Sequence, residues 1–399
     1  MKLSCIFFGT ILILILLITI LPFKIPEIEV MESRLAATEN IPLTQSEKLN
    51  EDTSFGKRPK NVLLVAYWRT GSTYFGQLLG HYPKTYYTYE PIHTFSNKVK
   101  IILTQHTSSL KLLLVRILYP NCLMQKNGWA NYTKEQATRL IQDIFQCNFQ
   151  TQYGRAYLEH AKDRPRLLRQ SKYIYESCHQ HIGSCHYPYF HTALCSNSHM
   201  NLIKTVRLRS NSLDTLFTKD ANLQIILLVR DPRAVMNSRW ANWCGNKPQC
   251  KIASQYCTEL KEDVMHSLSL AKKYPGKIRM VRFEDLIANK SQVLTKTHHF
   301  LGQTDVTIHK AESFFESFKN INPRILAFMA KSGEYSYRRN SSKVPRKWLD
   351  KLSEIVVESI QDQCSEAMTL LGYPAKQEII TSGNLVVQPS AEIENLLIK

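Results

Sequence analysis

Acidic residues are scarce in this sequence: the 399 residues include 33 Asp and Glu against 51 Lys and Arg, a formal net charge of +18. This excess favours an anionic partner, such as a nucleic acid, a lipid headgroup, a nucleotide or an acidic glycan, over a charge that serves solubility alone. Internal repeats and low-complexity tracts are also lacking. The length is sufficient for one large domain or two ordinary domains.

The ten cysteines lack the C-x-x-C spacing that is typical of zinc sites. Their wider and uneven spacing favours disulfides, which form in an oxidising compartment. Six of them make two dense groups: Cys178, Cys185 and Cys195, and Cys244, Cys250 and Cys257. Because Cys5 lies in the apolar N-terminal stretch, nine cysteines remain, and one thiol is either free or paired between two chains of a disulfide-linked homodimer.

Charged residues are absent from Leu3 to Phe23. A transmembrane helix needs about 20 such residues, whereas the apolar core of a cleaved signal peptide is shorter and precedes a small-residue cleavage site that is not evident here. We therefore predict a cytoplasmic tail at 1–4 and an uncleaved signal anchor at 5–23. The short tail favours a luminal location for the remainder, with only a weak positive-inside bias.

The chain beyond the anchor divides into three segments by composition. Residues 24–58 are polar and contain several prolines, which predicts a luminal stem. Residues 59–375 are predicted to form the catalytic domain, and 376–399 a C-terminal tail. Three N-glycosylation sequons agree with a luminal glycoprotein: Asn131, Asn289 and Asn340.

Apolar runs alternate with helical patterns throughout the predicted domain. Strands are predicted at 62–67, 85–91, 201–208, 223–231 and at the start of 277–287. Helices are predicted at 72–82, 133–149, 262–276 and 349–373. Residues 150–200 have no clear period and are expected to form a disulfide-tied insertion. The alternation predicts an α/β fold, a P-loop-like parallel β-sheet flanked by helices on both faces.

The turn after the first strand, "RTGST", has the composition of a phosphate cradle. Gly71 permits a tight turn, the helix N-terminus that follows favours negative charge, and Arg69 adds a guanidinium. Hydroxyl donors are added by Thr70, Ser72 and Thr73. Gln77 and Leu78 replace the Lys-[Ser/Thr] pair of the Walker A motif, which disfavours a nucleotide kinase. An ordinary helix N-cap with an incidental glycine is the alternative.

A second turn, after the strand at 223–231, also has the composition of an anion site. Pro232 suits the first position of a helix, with Asp231 as its N-cap. Arg230 and Ser238 are then about two helical turns apart and can face one ligand. The alternative is a helix start that is stabilised by salt bridges.

The two turns, together with "YEP" at 89–91, resemble in order the motifs of the Golgi carbohydrate sulfotransferases. The resemblance spans roughly residues 61–373 and is strongest to the branch that sulfates the 6-hydroxyl of N-acetylglucosamine, galactose or N-acetylgalactosamine. It implies a single-pass type II Golgi membrane enzyme with a luminal catalytic domain. It also implies 3′-phosphoadenosine 5′-phosphosulfate (PAPS) as donor, a glycan or proteoglycan acceptor, no metal and no nucleic acid.

The resemblance also assigns residues to the two ends of the donor. The implied 5′-phosphosulfate loop consists of Arg69, Thr70, Gly71, Ser72, Thr73, Tyr74 and Phe75. The implied 3′-phosphate site consists of Arg230, Asp231, Pro232, Arg233, Ala234, Val235, Met236, Asn237 and Ser238, with the first and last as direct contacts. Many family members have Ser-Gly-Ser-Ser where this chain has Thr-Gly-Ser-Thr, and the hydroxyls are retained.

Sulfuryl transfer, like phosphoryl transfer, depends mainly on positioning and charge stabilisation. We predict that Arg69 stabilises the leaving group and that Glu90 is the base, with a pKa raised by its aromatic neighbours. A structural ion pair with an arginine is the alternative for Glu90, and His93 is the rival base. Lys204 and Arg207 can meet an anionic donor or acceptor.

Two predictions remain open at this stage. The basic segment 331–348 is either a solvated face or a loop that closes over the nucleotide, with Tyr337 or Trp348 nearby. A nucleotide kinase and a non-catalytic glycan-binding luminal protein are the alternative functions. The joint presence of the four key side chains argues against the non-catalytic alternative: Arg69, Glu90, Arg230 and Ser238.

Overall fold

A parallel β-sheet forms the centre of the fold, and the computed structural model describes residues 58–96, 133–180, 184–242, 244, 248–303 and 343–399. Within these ranges the sheet has six strands in the order β2-β3-β1-β4-β5-β6, and each adjacent pair is parallel. The strands are β1 (Lys60–Ala66), β2 (Thr85–Tyr89), β3 (Met200–Thr205), β4 (Gln224–Val229), β5 (Ile278–Arg282) and β6 (Leu397–Ile398). The predicted parallel sheet is confirmed.

Helices connect the strands and cover the sheet. Those in the first half are α1 (Ser72–Gly80), α2 (Lys134–Phe145), α3 (Gln152–Asp163), α4 (Arg166–Arg169), α5 (Lys172–Gln180), α6 (Pro188–Ser196) and α7 (Leu213–Phe217). Those in the second half are α8 (Pro232–Asn242), α9 (Ala253–Lys273), α10 (Phe283–Ala288), α11 (Lys290–Phe300), α12 (Lys347–Lys351), α13 (Glu354–Leu371), α14 (Lys376–Ser382) and α15 (Ala391–Glu394). Short 3₁₀ segments cover Pro91–Ser96, Ser210–Ser212 and Pro248–Lys251.

Both faces of the sheet are buried, which explains why the strands appear in the sequence as continuous apolar runs. Successive side chains of β1 alternate between two cores. Leu63 and Val65 pack with residues of α2, α3, α9 and α13, whereas Val62 and Leu64 pack with residues of α1 and α11. The predicted helical layers on both faces are therefore present.

Residues 150–200 form the predicted disulfide-tied insertion, and they contain helices that the sequence analysis did not identify. The structure folds most of this insertion into helices α3 to α6, whose polar and aromatic composition obscures the helical period. Two disulfides tie it as expected, Cys147–Cys195 and Cys178–Cys185. In the second cysteine group, Cys244–Cys250 closes a short loop and Cys257–Cys364 joins α9 to α13.

The segment predicted as a C-terminal tail, 376–399, belongs to the folded unit. It contains α14, α15 and β6, and β6 pairs with β5 at the edge of the sheet through Leu397 and Ile398. A strand of two residues is too short to produce a readable alternation.

Several predictions fall outside the described residues: the cytoplasmic tail, the anchor at 5–23, most of the stem, Asn131 and Asn340. Within the described ranges, no helix is both long enough and apolar enough to cross a membrane. Asn289 lies between α10 and α11 and is exposed. Its glycosylation stays a prediction.

The strand order creates one topological switch point. From β1 the chain passes through α1 toward β2, at one edge of the sheet. From the adjacent strand β4 it passes through α8 and α9 to β5, in the direction of the opposite edge. Connections that diverge from adjacent strands open a crevice beyond their carboxyl ends, where ligands of such sheets bind. The two predicted anion turns follow β1 and β4, so both lie at this crevice.

Candidate active site

The turn after β1 has a strained backbone. Arg69 and Gly71 have φ of 75° and 91°, both in the left-handed region. A residue other than glycine is uncommon there, and such residues cluster at functional sites. Thr70 uses its hydroxyl to close the turn, since Oγ1 donates to the Tyr67 carbonyl at 2.8 Å and the side chain is fully buried. Thr70 therefore supports the loop and does not offer its hydroxyl to a ligand.

The remaining residues of the predicted loop divide between partly exposed and buried positions. Ser72 begins α1, and Thr73 Oγ1 lies 3.3 Å from the Tyr89 hydroxyl at the end of β2. Tyr74 is partly buried at the edge of the core, whereas Phe75 is fully buried within it. Phe75 therefore anchors α1 and is not available to the donor.

Substitution of Gly71 by alanine is expected to destabilise the protein. A Cβ on Gly71 would lie 2.3 Å from Cε2 of Phe283, and the φ of +91° would be strained as well. We expect the free energy of unfolding to fall by about 2–4 kcal/mol, measured by urea denaturation. Gly302→Ala is the matched control, because φ is +69° but no atom of the described residues lies within 4 Å of the added Cβ. Equal losses in both variants would contradict the clash.

The turn after β4 is capped as predicted. Asp231 Oδ1 accepts a hydrogen bond from the Arg233 backbone N–H at 2.8 Å, at the start of α8. The Arg233 side chain is fully buried, pairs with Asp231 at 2.8 Å and stacks on the Trp348 ring at 4.2 Å. The family resemblance includes Arg233 in the 3′-phosphate segment, but Asp231 neutralises the charge of its side chain inside the protein.

The centre of this predicted segment forms core. Ala234, Val235 and Met236 are buried among apolar side chains, so they fix α8 and do not face a ligand. Asn237 and Ser238 are partly exposed on the next turn. The remaining candidate contacts with a ligand are at the two ends of the segment: Arg230 at the start and Ser238 two turns later.

The two turns are in direct contact. Arg69 Nε donates to Ser238 Oγ at 2.9 Å, and Arg230 Nη1 donates to the Arg69 carbonyl at 2.9 Å. Arg230 Nη2 donates to the Val344 carbonyl at 3.1 Å. The segments around Gly71 and Pro232 therefore line one crevice, as the sequence analysis required.

One donor atom in this crevice lacks an acceptor. Arg230 is buried, its guanidinium stacks on the Phe283 ring at 4.7 Å, and its Nε has no hydrogen-bond partner in the described part of the chain. The nearest carboxylate oxygen belongs to Glu284, 4.0 Å away. A buried N–H without a partner is costly, so a ligand oxygen at this position would be stabilising.

Glu284 is a buried residue of this site that the sequence analysis missed. Its carboxylate accepts from the Asp231 N–H at 3.3 Å and from the Tyr373 hydroxyl at 3.0 Å. Burial and the neighbouring Asp231 charge raise the pKa of Glu284 to about 7, although Arg230 opposes the shift. An acidic residue two positions after β5, at the carboxyl edge of the sheet, was the available signal.

Glu90 lies at the end of β2 with a φ of 47° and is held by two cations. Its Oε1 contacts Lys204 Nζ at 2.6 Å, and its Oε2 contacts Arg207 Nη1. Burial alone would raise the pKa of Glu90, but the ion pairs and hydrogen bonds with these two cations outweigh burial and lower it to about 2. The expectation of a raised pKa is therefore wrong.

His93, the rival base, faces a second histidine. Its Nδ1 lies 3.0 Å from Nε2 of His160 in α3, and the two rings are stacked. Burial and the nearby Arg207 lower the pKa of His93 to about 4, and burial together with Arg164 does the same for His160. Both imidazoles are therefore neutral near pH 7. Sequence reasoning did not identify His160.

Side chains connect the Glu90 region to the crevice. Lys204 Nζ lies 4.6 Å from the centre of the Tyr89 ring, whose hydroxyl contacts Thr73 in the first loop. The Arg207 guanidinium lies 5.7 Å from the Trp68 ring, next to Arg69 in the chain. The anion crevice and the Glu90 corner thus form one continuous site along the edge of β2, β3, β1 and β4.

The basic segment 331–348 is described only from Lys343 onward. The Val344 carbonyl reaches Arg230, so the end of this segment borders the crevice. Trp348 is fully buried beside Arg233, Ala234, Val357 and Ile379, so its ring packs in the core and does not line the crevice. Tyr337 lies outside the described residues.

The fold and site define an α/β protein in which the turns after β1 and β4 are in direct contact and an ion-paired cluster of Glu90, Lys204 and Arg207 lies beside them. A family model described as "Sulfotransferase domain" matches residues 59–372, and the chain belongs to this family. Within the described ranges, no group of three or more His, Cys, Asp or Glu side chains could hold a metal ion.

Curated relatives of this chain carry a common name. Carbohydrate sulfotransferase 1 of Mus musculus is 27% identical over 347 residues, covering 79% of this chain and 80% of that protein. Carbohydrate sulfotransferase 3 of Homo sapiens is 26% identical over 338 residues, covering 79% of this chain and 67% of that protein. Among solved structures, the sulfotransferase domain of the Synechococcus PCC 7002 olefin synthase is 16% identical, covers 82% of this chain and 98% of that domain, and has a TM-score of 0.39.

These comparisons confirm the predicted family resemblance. The protein is a sulfotransferase, and the family match decides against the nucleotide kinase and the non-catalytic binding protein. The roles of individual residues remain predictions.

Proposed function

We propose that this protein transfers a sulfuryl group from PAPS to the 6-hydroxyl of N-acetylglucosamine, galactose or N-acetylgalactosamine in a glycan or proteoglycan chain. The observation that carries the proposal is the contact of the two anion turns through Arg69 and Ser238. A donor with anionic groups at both ends suits a crevice with two anion holders. The names of the curated relatives support a carbohydrate acceptor.

The first loop would hold the phosphosulfate end of the donor. The amides at the start of α1 and the Arg69 guanidinium can stabilise negative charge that develops on the leaving oxygen. Arg69 is constrained by its φ of 75° and by its bond to Ser238, so its guanidinium is preorganised. Preorganised donors need no rearrangement during the reaction, which makes them effective.

The second turn would hold the 3′-phosphate. Arg230 Nε, which lacks an acceptor in the described part of the chain, can donate to a phosphate oxygen. The hydrogen bond from Arg69 Nε to Ser238 Oγ fixes the orientation of the first loop relative to the second turn. The carboxylates of Glu284 and Asp231 stabilise the positive charge of the buried Arg230.

Glu90 would accept the proton of the sugar hydroxyl. Lys204 and Arg207 keep its carboxylate ionised, so it can accept a hydrogen bond from the hydroxyl at any physiological pH. A base of pKa about 2 takes a proton only when the hydroxyl has become strongly acidic, which means late in the transfer. This timing agrees with a loose transition state, as in phosphoryl transfer.

We further propose a Golgi location, with residues 5–23 as the membrane anchor and the catalytic domain in the lumen. The apolar run in the sequence, the sequons and the four disulfides of the described ranges support this location. Disulfides of this kind persist in oxidising compartments.

The proposal is tested by binding and by product analysis. Calorimetry with adenosine 3′,5′-bisphosphate should show one site per chain. Ser238→Ala should weaken binding about tenfold, because a hydrogen bond to a charged group is lost. Ser359→Ala, on the exposed surface of α13, is the matched control.

Labelled sulfate transfer to desulfated glycans, followed by NMR of the product, identifies the acceptor and the linkage. Absence of nucleotide binding would refute the proposal, and a linkage at another hydroxyl would refute the 6-position.

A further inference from the structure

We propose that Glu284 is a positioning residue for the donor: its carboxylate takes up a proton from solvent when the 3′-phosphate binds, and this uptake frees Arg230 to bind the phosphate. Nucleotide affinity therefore rises as the pH falls. The inference rests on the proposed function, since it describes how the second turn holds one end of the donor.

Glu284 lies beside a guanidinium nitrogen of Arg230 that is open to a ligand. In the described part of the chain, Arg230 Nε has no hydrogen-bond partner, whereas Nη1 and Nη2 donate to the carbonyls of Arg69 and Val344. Glu284 Oε1 lies 4.0 Å from this Nε. A phosphate oxygen that accepts from Nε at about 2.9 Å must lie within about 7 Å of the same carboxylate oxygen. The ligand and Glu284 therefore compete for one cation.

Two hydrogen bonds hold the Glu284 carboxylate in this position. Its Oε1 accepts from the Asp231 backbone N–H at 3.3 Å, and its Oε2 accepts from the Tyr373 hydroxyl at 3.0 Å. The residue is only 3% exposed, so solvent screens its charge weakly. A nearby phosphate therefore meets a fixed and poorly screened negative charge, which a proton can remove without any movement of the side chain.

The charges of this buried cluster balance without a phosphate. Among the described residues that these contacts link, Arg230 and Arg233 are the cations and Asp231 and Glu284 are the acids. Asp231 is committed to Arg233, since Oδ2 and Nη2 are 2.8 Å apart, and Glu284 serves Arg230. A phosphate adds about two negative charges. Because like charges favour the neutral form of a carboxyl, Glu284 is the group that takes up a proton.

The other described groups that face Glu284 do not titrate near neutral pH. Tyr256 of α9 and Tyr373 after α13 stay neutral, because burial raises the pKa of both hydroxyls. Arg282, which also acts on Tyr373, pairs with Asp285 at 2.6 Å. A pH dependence of nucleotide binding in this range therefore reports on Glu284 and on the ligand itself.

The direction of the effect follows from the protons bound in each state. Burial and the Asp231 charge raise the pKa of Glu284 to about 7, and Arg230 opposes the shift. A bound phosphate raises this pKa further, so above about pH 7 the complex holds more protons than the free protein. Affinity is then lost as the pH rises through the pKa of the free protein. Well below that pKa, Glu284 is protonated in both states and the dependence disappears.

The test measures binding of adenosine 3′,5′-bisphosphate by calorimetry between about pH 6.5 and about pH 8.5. We expect the wild-type affinity to fall about tenfold over this range, with uptake of about one proton per nucleotide near pH 8. Buffers of different ionisation enthalpy give the proton count. The phosphate of the ligand titrates near pH 6, about half a unit below this range, and comparison with variants removes its contribution.

Glu284→Gln keeps the shape and the hydrogen bonds of the protonated carboxyl. We expect it to match the wild type within about twofold near pH 6.5 and to bind the nucleotide about tenfold more tightly than the wild type near pH 8.5. A merely structural role would instead weaken binding at every pH. Asp143→Asn is the matched control, because Asp143 is a buried carboxylate of α2 whose pKa is also raised by burial. It should retain the wild-type pH dependence.

Tyr373→Phe gives an independent test with Glu284 in place. It removes the hydroxyl that stabilises the ionised carboxylate, so the midpoint of the pH dependence should move up by about half a unit or more. Wild-type binding that is independent of pH, an unchanged pH dependence in either variant of the cluster, or weaker binding of Glu284→Gln at every pH would overturn the inference. Absence of nucleotide binding at every pH would instead refute the proposed function on which it rests.

Discussion

Arg69→Ala is expected to lower kcat for sulfate transfer by about 10³-fold, the loss expected when one strong transition-state donor is removed. Arg69 contributes the guanidinium that faces the predicted leaving group, and it also fixes Ser238 through its Nε. Alanine removes both contacts. Transfer of labelled sulfate under saturating donor and acceptor measures the loss.

The backbone at Arg69 requires a second variant. A φ of 75° is strained for arginine and for alanine alike, so the substitution adds no backbone strain. We therefore expect the loop to keep its conformation in the alanine variant. Arg69→Lys keeps the charge but loses the fork geometry, and we expect a smaller loss of about 10- to 100-fold. Arg279→Ala, at the amino-terminal half of β5, removes an arginine outside the crevice and should leave kcat unchanged. Near-normal turnover of Arg69→Ala would show that another group stabilises the leaving oxygen.

Glu90→Gln is expected to lower kcat by about 10²- to 10³-fold while binding of adenosine 3′,5′-bisphosphate changes by less than about twofold. Glutamine keeps the shape of the side chain but cannot take the hydroxyl proton. Calorimetry separates the loss of turnover from a loss of nucleotide binding, because the turns proposed to bind the nucleotide follow β1 and β4 whereas Glu90 follows β2. Glu354→Gln breaks an exposed ion pair with Lys376 and serves as control. Loss of both turnover and nucleotide binding would show that Glu90 is structural.

The pH dependence of kcat/KM distinguishes Glu90 from His93. A base is active only when deprotonated, so activity falls as the pH drops through the pKa of the base in the free enzyme. Glu90, with a pKa of about 2, predicts a profile that stays flat on the acid side down to about pH 3, whereas His93 predicts a fall through about pH 4. An acid limb near pH 4 that disappears in His93→Ala would transfer the base role to His93.

The strands and the two turns were predictable because they depend on local sequence. Buried parallel strands are continuous apolar runs, as in Val62–Tyr67, and glycine marks the tight turn at Gly71. Asp231 and Pro232 define a helix start without reference to the rest of the chain. The helices of the insertion were missed because their buried faces mix Tyr157, His160 and His191 with aliphatic residues, which obscures the helical period.

The electrostatics of the site was not predictable from neighbours in sequence. The aromatic residues before Glu90 suggested a raised pKa, but β2 pairs with β3, and the register that joins Tyr89 to Lys204 brings a cation to the carboxylate. Glu90 and Lys204 are 114 positions apart in the sequence. Glu284 and His160 reach the site through similar long-range packing. Pairing of distant segments therefore decides which charges dominate, and strand order must be known before a pKa can be assigned.

The division of labour among the strands has an evolutionary consequence. In the proposed function the donor is held by segments that follow β1 and β4, whereas the helices α2 to α6 are all inserted between β2 and β3, next to the proposed base Glu90. Replacement of that one insertion would change the sugar sequence that the enzyme accepts. The turns after β1 and β4, which are proposed to bind the nucleotide, would stay unchanged. Substrate diversification in such a scaffold needs change in a single stretch of the gene.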